Sequence, residues 1–143
     1  MGCPFFLPTE RFEAITARHR ARLPLGDGWA GICTAPGHEN TQPDSACLSE
    51  CCNLGYAKTC PWLPSERSWD AIRLSIAEDG GRTIHLLYVC ERDHRPRGHG
   101  TLEFDTQLNR WRCPHPDERI QRMAECYLEG YFSRRHPPPE TLA

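Results

Sequence analysis

Residues 47–61 read Cys-Leu-Ser-Glu-Cys-Cys-Asn-Leu-Gly-Tyr-Ala-Lys-Thr-Cys-Pro, so four cysteines fall within one short stretch. The whole chain has nine cysteines in 143 residues, and six of them precede residue 66. This first part of the chain is rich in proline and glycine and poor in apolar residues, so it has little with which to build a core. We therefore expect metal–thiolate bonds to stabilise it, because binding energy at such a site is also folding energy.

Composition and charge narrow the class of protein. Residues 1–8 show no basic leader and no long apolar stretch, so we expect a cytoplasmic protein, in which cysteines are more often metal ligands than disulfides. The formal net charge is −2, and no apolar run is long enough to cross a bilayer. We accordingly expect no membrane association, and the charge balance makes nucleic acid an unlikely partner.

The periodicity predicts an α+β fold for residues 66–136, with a three-stranded antiparallel sheet covered by a C-terminal helix. Alternation predicts strands over 71–76 and 84–90 and a third around Leu102 and Phe104, after a charged loop over 92–100. Apolar residues at steps of three and four predict the helix over 117–135.

The remaining segments complete a single domain over 1–143. Residues 1–65 are predicted to be loop-rich and metal-binding, with short helices over 10–22 and 45–53, the second capped by Asp44. The prolines of the last residues predict a disordered tail over 137–143.

The candidate ligands come from the loop-rich part. A cysteine followed directly by proline, as at Cys3 and Cys60, recurs in ferredoxin-type sequences. Cys33 stands in a loop of small residues that lets the backbone approach a cluster, and Cys52 is preferred because Cys47 and Cys51 share a helical face that Cys52 does not. The predicted metal ligands are Cys3, Cys33, Cys52 and Cys60, with Cys47 and Cys51 in reserve.

The kind of metal follows from the spacing. Structural zinc sites usually pair two short cysteine knuckles, and no Cys-x-x-Cys occurs here, which weakens zinc without excluding it. Four thiolates would fill a [4Fe-4S] cluster, so we expect an iron–sulfur protein for electron transfer or redox sensing with a redox partner protein, or one whose cluster is structural. The alternative is a zinc-stabilised module that binds protein or nucleic acid.

The other polar and cysteine residues have simpler interpretations. No cysteine has a neighbouring base in sequence that would activate it, so we do not expect an enzyme. His38 or His115 could replace one thiolate, as histidine does in some clusters. Cys90 and Cys126 fit the core of the sheet and helix, and Cys113 fits a loop.

A series of motifs resembles a group of small uncharacterised bacterial cysteine-rich proteins. The matching segments are Cys3-Pro4-Phe5-Phe6, Leu23-Pro24-Leu25-Gly26-Asp27, Gly31-Ile32-Cys33, Cys52-Asn53-Leu54-Gly55-Tyr56-Ala57, Cys60-Pro61 and Tyr88-Val89-Cys90-Glu91-Arg92-Asp93-His94. The resemblance implies a bacterial protein that binds an iron–sulfur cluster. It also implies that Cys3, Cys33, Cys52 and Cys60 act as one set, because each stands inside a matching segment.

Overall fold

The computed structural model describes residues 3–12, 25, 28–53, 60–64 and 67–134. These residues form two antiparallel sheets and a long C-terminal helix, so the α+β class is confirmed. The strands are β1 (Phe6–Arg11), β2 (Trp29–Cys33), β3 (Ala71–Asp79), β4 (Thr83–Arg92), β5 (Arg95–Asp105) and β6 (Arg110–Trp111). The helices are α1, an α-helical turn Ser45–Cys47 that continues as a π-helix Leu48–Cys52, and α2 (Glu118–Arg134).

The larger sheet is a meander in the order β3-β4-β5-β6, with four strands instead of the predicted three. The added strand, β6, is only two residues long and carries no periodic signal of its own. The predicted loop over 92–100 is also wrong, because β5 begins at Arg95. Only Asp93 and His94 form the turn, with φ of 53° and 63°, the left-handed conformation that a two-residue hairpin requires.

Helix α2 begins and ends within one residue of the predicted bounds. Its buried face includes Ile120, Met123 and Leu128, which repeat at helical steps. It packs against β1 and β3, so it joins the small sheet to the large one.

The first part of the chain contains a two-stranded sheet that the sequence did not predict. Glu10 and Arg11 belong to β1, so the helix expected over 10–22 is wrong at its start, and its residues from 13 onward lie outside the described ones. Strand β1 pairs with β2 through a bulge after Pro8. The two backbones approach so closely that only glycine fits at position 31, since a Cβ there would lie 2.1 Å from the carbonyl oxygen of Leu7.

One main core serves both parts of the chain. Phe6, Trp29 and Leu48 pack into the same buried cluster as Leu86 and Met123. Cys90 and Cys126 belong to this cluster, as predicted. The few apolar residues of the first part therefore anchor it to the sheet and helix.

Two expectations concern the ends and surface of the chain. The tail over 137–143 lies outside the described residues. Within the described part, no helix combines the length and apolar character that crossing a bilayer requires.

Candidate metal centre

Six cysteines from four separate segments line one small cavity of about 10 Å³, room for about one water-sized body. Aromatic and aliphatic side chains such as Phe6, Trp62 and Leu63 complete its wall, and none of the described residues that line it is acidic or basic. The cysteines are Cys3, Cys33, Cys47, Cys51, Cys52 and Cys60. None of the nine cysteines in the chain forms a disulfide. The whole predicted set and both reserve residues thus meet at one place.

Cys3 and Cys60 are positioned by the same local device. Each begins a turn with proline in second place, closed by the amide of Phe6 donating to the carbonyl of Cys3 at 3.2 Å and that of Leu63 donating to Cys60 at 3.1 Å. Proline favours this position because its ring presets the required φ. The Cys-Pro signal in the sequence therefore reflects a turn that aims a thiol into the cavity.

Backbone amides also point at the sulfurs. The amide of Ala35 donates to the Sγ of Cys33 at 3.4 Å. The amides of Phe5 and Phe6 donate to the sulfur of Cys3. Such donors stabilise a thiolate and tune the metal that it binds.

Helix α1 presents three cysteines at once. Its first turn is capped as predicted, with the Cys47 amide donating to Oδ1 of Asp44 at 2.8 Å. The next turn is π-helical, closed by the amide of Asn53 donating to the carbonyl of Leu48 at 3.1 Å. The wider turn brings Cys52 to the cavity that Cys47 and Cys51 also line, although Cys52 is not in the group of described thiols that lie within 4.8 Å of one another.

Three thiols form the tightest group. The sulfur atoms of Cys47, Cys51 and Cys60 all lie within 4.8 Å of one another, a spacing that could hold a metal ion. The Sγ atoms of Cys47 and Cys60 are 4.0 Å apart. One residue of this group belongs to the preferred set, and the other two are the reserve residues.

Burial governs the ionisation of the thiols. It raises the pKa of Cys3 to about 12, with Cys33 and Cys60 adding to the effect. It likewise raises the pKa of Cys47 to about 12, helped by Cys60 and Cys51, and it raises the pKa of Cys52 strongly. A nucleophilic cysteine needs the opposite shift, whereas a bound cation would favour the thiolates.

Asn53 holds the cysteine-bearing elements together, although no sequence pattern predicted this role. Its side chain is 1% exposed. Its Oδ1 accepts from the Trp29 amide at 2.9 Å, and its Nδ2 donates to the carbonyls of Trp29 at 2.9 Å and Leu48 at 2.7 Å. One amide therefore fixes α1 against β2. Its only signal was its place directly after Cys51-Cys52.

A second link joins the cavity wall to α2. The guanidinium of Arg119 lies 5.3 Å from the ring centroid of Phe5. It also donates to Oγ1 of Thr34 at 3.2 Å, and that hydroxyl donates to the carbonyl of Phe5 at 2.7 Å. Arg119 is thus a cation placed one side chain away from the thiols.

The residues outside the thiol cluster have other partners. His38 stacks on Trp62 with ring centroids 4.4 Å apart. His115 accepts the Asp117 amide at Nδ1, at 2.8 Å. Cys113 is exposed and lies in a loop, as predicted. Neither histidine belongs to the group of side chains close enough to share an ion among the described residues.

A scan of this chain against protein-family models found no match, and neither did searches of curated proteins and of solved structures. The motif resemblance to small bacterial cysteine-rich proteins therefore stays a prediction.

Proposed function

We propose that this chain is a small iron–sulfur protein that binds a [4Fe-4S] cluster through Cys3, Cys33, Cys52 and Cys60, and that it transfers electrons or senses redox state. Because the space between the thiols is about 10 Å³, the cysteine-bearing segments would move apart to admit the cluster. The observation that carries the proposal is the convergence of six thiols from four separate segments on one cavity. Thiolates are the ligands that iron–sulfur clusters require, and clusters need apolar shells with amides directed at sulfur.

The four cysteines of the proposed set all line the same cavity. Burial raises the pKa of Cys3 and of Cys52; ionised Cys33 or Cys60 would add to the shift of Cys3, and ionised Cys47, Cys3 or Cys60 to that of Cys52. A cluster spreads its ligands over four irons, so it suits this wider ring better than the tight group of Cys47, Cys51 and Cys60.

The position of the site suits electron exchange. Cys3 and Cys60 are half-buried, and Pro61 beside Cys60 is exposed. A redox partner could therefore approach the centre at the turn that begins at Cys60. Solvent exposure of a cluster is also one of the factors that set its reduction potential.

A zinc site is the second candidate, and the tight group favours it. A tetrahedral zinc with Zn–S bonds of about 2.3 Å holds its sulfurs about 3.8 Å apart. The 4.0 Å between Cys47 and Cys60 is close to that value. Zinc would have no redox role, and the protein would then be a metal-stabilised binding module.

Metal analysis of protein purified without oxygen separates the two candidates. We expect a brown protein with iron and acid-labile sulfide in equal amounts, near four of each per chain for a cubane cluster. A colourless anaerobic preparation with zinc and no sulfide would overturn the iron–sulfur proposal and favour the second candidate. The absence of oxygen matters because exposed clusters are lost in air.

A further inference from the structure

The tip of the β4–β5 hairpin, residues 92–97, is basic, although the chain as a whole is acidic. Arg92, Arg95 and Arg97 fall within these six residues, and Asp93 is the one acidic residue among them, whereas the formal net charge of the chain is −2. All four residues are exposed. A molecule that approaches the hairpin tip therefore meets a positively charged surface.

The fold leaves these positive charges without acidic partners. In the described part of the chain, seven other arginines form ion pairs with carboxylates at 2.6–3.6 Å. No such pair joins Arg92, Arg95 or Arg97 to another described residue. Arg92 and Arg95 instead stand directly opposite each other where β4 pairs with β5. Like charges in this position destabilise a sheet, so a carboxylate from a partner would relieve the repulsion.

Hydrogen bonds fix the hairpin tip beside the segment that leaves the cysteine-lined cavity. Arg67 donates to the carbonyl of Pro64 at 2.7 Å, and Pro64 directly follows a residue that lines the cavity. The guanidinium of Arg92 donates to the carbonyl of Arg67. Asp70 accepts from Nε of Arg67 at 2.6 Å and from the Asp93 amide at 2.7 Å. A partner bound to the hairpin tip would therefore also lie against this segment.

The hairpin tip suits an acidic protein better than a nucleic acid. Sites for nucleic acids use many cations along the phosphate backbone and often aromatic side chains on which bases stack. The hairpin tip offers three arginines, and residues 92–99 contain no phenylalanine, tyrosine or tryptophan. A guanidinium matches the geometry of a carboxylate, and complementary charge steers transient encounters between proteins.

We infer that the hairpin tip is the docking surface for an acidic protein partner, whose carboxylates pair with Arg92, Arg95 and Arg97 while the partner lies against the turn at Cys60. The inference rests on the proposed function for the purpose of the encounter, which is electron exchange with a redox partner. The docking itself depends on the arginines and needs no cluster. Because exposed ion pairs are screened by salt, the encounter is weak at high ionic strength.

The test uses hexaglutamate as the probe of an acidic surface, titrated into isotopically labelled full-length protein purified without oxygen. At about 0.01 M salt, the amide resonances of Arg92 and Arg95 should shift, and the shifts should fade at about 0.15 M. Arg110 and Arg112, at the other end of the same sheet, should not respond. Shifts spread evenly over the surface, or none at the hairpin tip, would overturn the inference. So would stronger binding of hexathymidylate, which carries a similar charge and stands for a nucleic acid.

Paired variants separate local charge from net charge. Arg95→Gln/Arg97→Gln should weaken hexaglutamate binding by about fivefold, because each exposed ion pair contributes modestly. The control Arg110→Gln/Arg112→Gln changes the net charge equally and should bind as the wild type does. Equal weakening in both proteins would show that only net charge matters and would overturn the inference. The shifts of the wild type need no substitution, so the test survives a variant that fails to fold.

Failure of this inference and failure of the proposed function are distinguishable. Absence of iron and sulfide from the purified protein would refute the cluster without changing where hexaglutamate binds. Absence of hexaglutamate from the hairpin tip would refute the docking surface and leave the metal analysis unchanged.

Discussion

Two regions of the protein are stabilised by different chemistry. One is the cysteine-lined end, formed by the cavity with β1, β2 and α1, and the other is the β3–β6 sheet with α2. The sheet places Ile84 and Leu86 on one buried face, and α2 covers that face with residues such as Met123. The cysteine-lined end places thiols where the sheet places aliphatic side chains. Burial of apolar side chains stabilises the sheet and α2 whether or not metal is present, whereas the stability of the cysteine-lined end depends on what the thiols bind. The two regions should therefore respond to different perturbations.

The largest expected difference comes from Cys60→Ser. Cys60 lies in the tight group and in the proposed cluster set, so its loss should remove the bound metal almost completely under either candidate function. Metal content after anaerobic purification measures this. Cys113→Ser is the matched control, because Cys113 is exposed and also precedes a proline.

The same measurement sharpens the ligand assignment. We expect loss of metal in Cys3→Ser, Cys33→Ser and Cys52→Ser, and retention in Cys90→Ser and Cys126→Ser, whose thiols belong to the core. Full metal content in Cys3→Ser would exclude the proposed cluster set. Loss of metal in Cys47→Ser with retention in Cys52→Ser would move that ligand along α1.

Asn53→Ala should have the next largest effect. Two hydrogen bonds from Asn53 to β2 and one to Leu48 within α1 would be lost, and the buried amide and carbonyl of Trp29 would be left unpaired. Leaving such groups unsatisfied costs about 1–3 kcal/mol each in free energy of unfolding. Urea unfolding with and without metal measures the cost, and Gln107→Ala, at an exposed position, is the control. Unchanged stability in both states would show that Asn53 does not hold the site.

A smaller effect is expected for Arg119→Gln. The substitution removes the cation over Phe5 and the hydrogen bond to Thr34, which together connect α2 to the cavity wall. The cation–π contact alone is worth about 0.5–1 kcal/mol. Thermal unfolding of the metal-bound protein should show the loss, and Arg95→Gln, at the exposed hairpin tip, should not. Equal loss in both variants would assign the effect to net charge.

The smallest effect concerns acid and the β3–β6 sheet. Burial opposes ionisation of Asp70, but the Asp93 amide and the Arg67 guanidinium outweigh it and lower the pKa of Asp70 below 3.8. An aspartate whose pKa is lower in the folded state than in the unfolded state stabilises the fold at pH values above its unfolded pKa. This stabilisation is lost as the pH falls through the folded pKa. The free energy of unfolding should therefore decrease over that range, and Asp70→Asn should lack this part of the decrease.

Urea unfolding at about pH 6 and about pH 3 measures the free energy of unfolding of the wild type and of Asp70→Asn. Effects of acid on the thiols occur in both proteins, so they cancel when the two changes are subtracted. The control is Asp93→Asn, because Asp93 is exposed and asparagine tolerates its φ of 53°. If Asp70→Asn lost as much stability on acidification as the wild type, the ion pair with Arg67 would have no part in the pH dependence.

The sequence predicted the elements that carry a repeating signal. The period of α2 and the alternation of β3 and β4 depend on burying one or both faces, so they are visible in the residue order. The β1–β2 pairing was missed because Pro8 and Gly31 disfavour strands locally, and only the close approach of the two backbones explains Gly31. The short turn at Asp93 was missed because it lies inside the charged segment over 92–100, which was predicted to be a loop.

The site was predictable as a group of residues and not as a geometry. Cysteine count and the Cys-Pro turns indicated which residues meet. The positions of the three α1 cysteines relative to one another were not predictable. They depend on the π-helical turn of α1, which changes the face on which Cys52 lies and cannot be inferred from α-helical spacing. Asn53 acts through contacts with Trp29, distant in sequence, so no local pattern marks it.

Hydrogen exchange on metal-bound and metal-stripped protein under reducing conditions measures whether bound metal stabilises the cysteine-lined end while packing stabilises the sheet and α2. After metal removal, the amides of Cys33, Asn53 and Leu63, which donate hydrogen bonds around the cavity, should lose protection first. Those of Leu86 in β4 and Tyr127 in α2 should keep most of theirs, because their packing needs no thiolate ligand. Equal protection in both regions after complete removal would contradict the account.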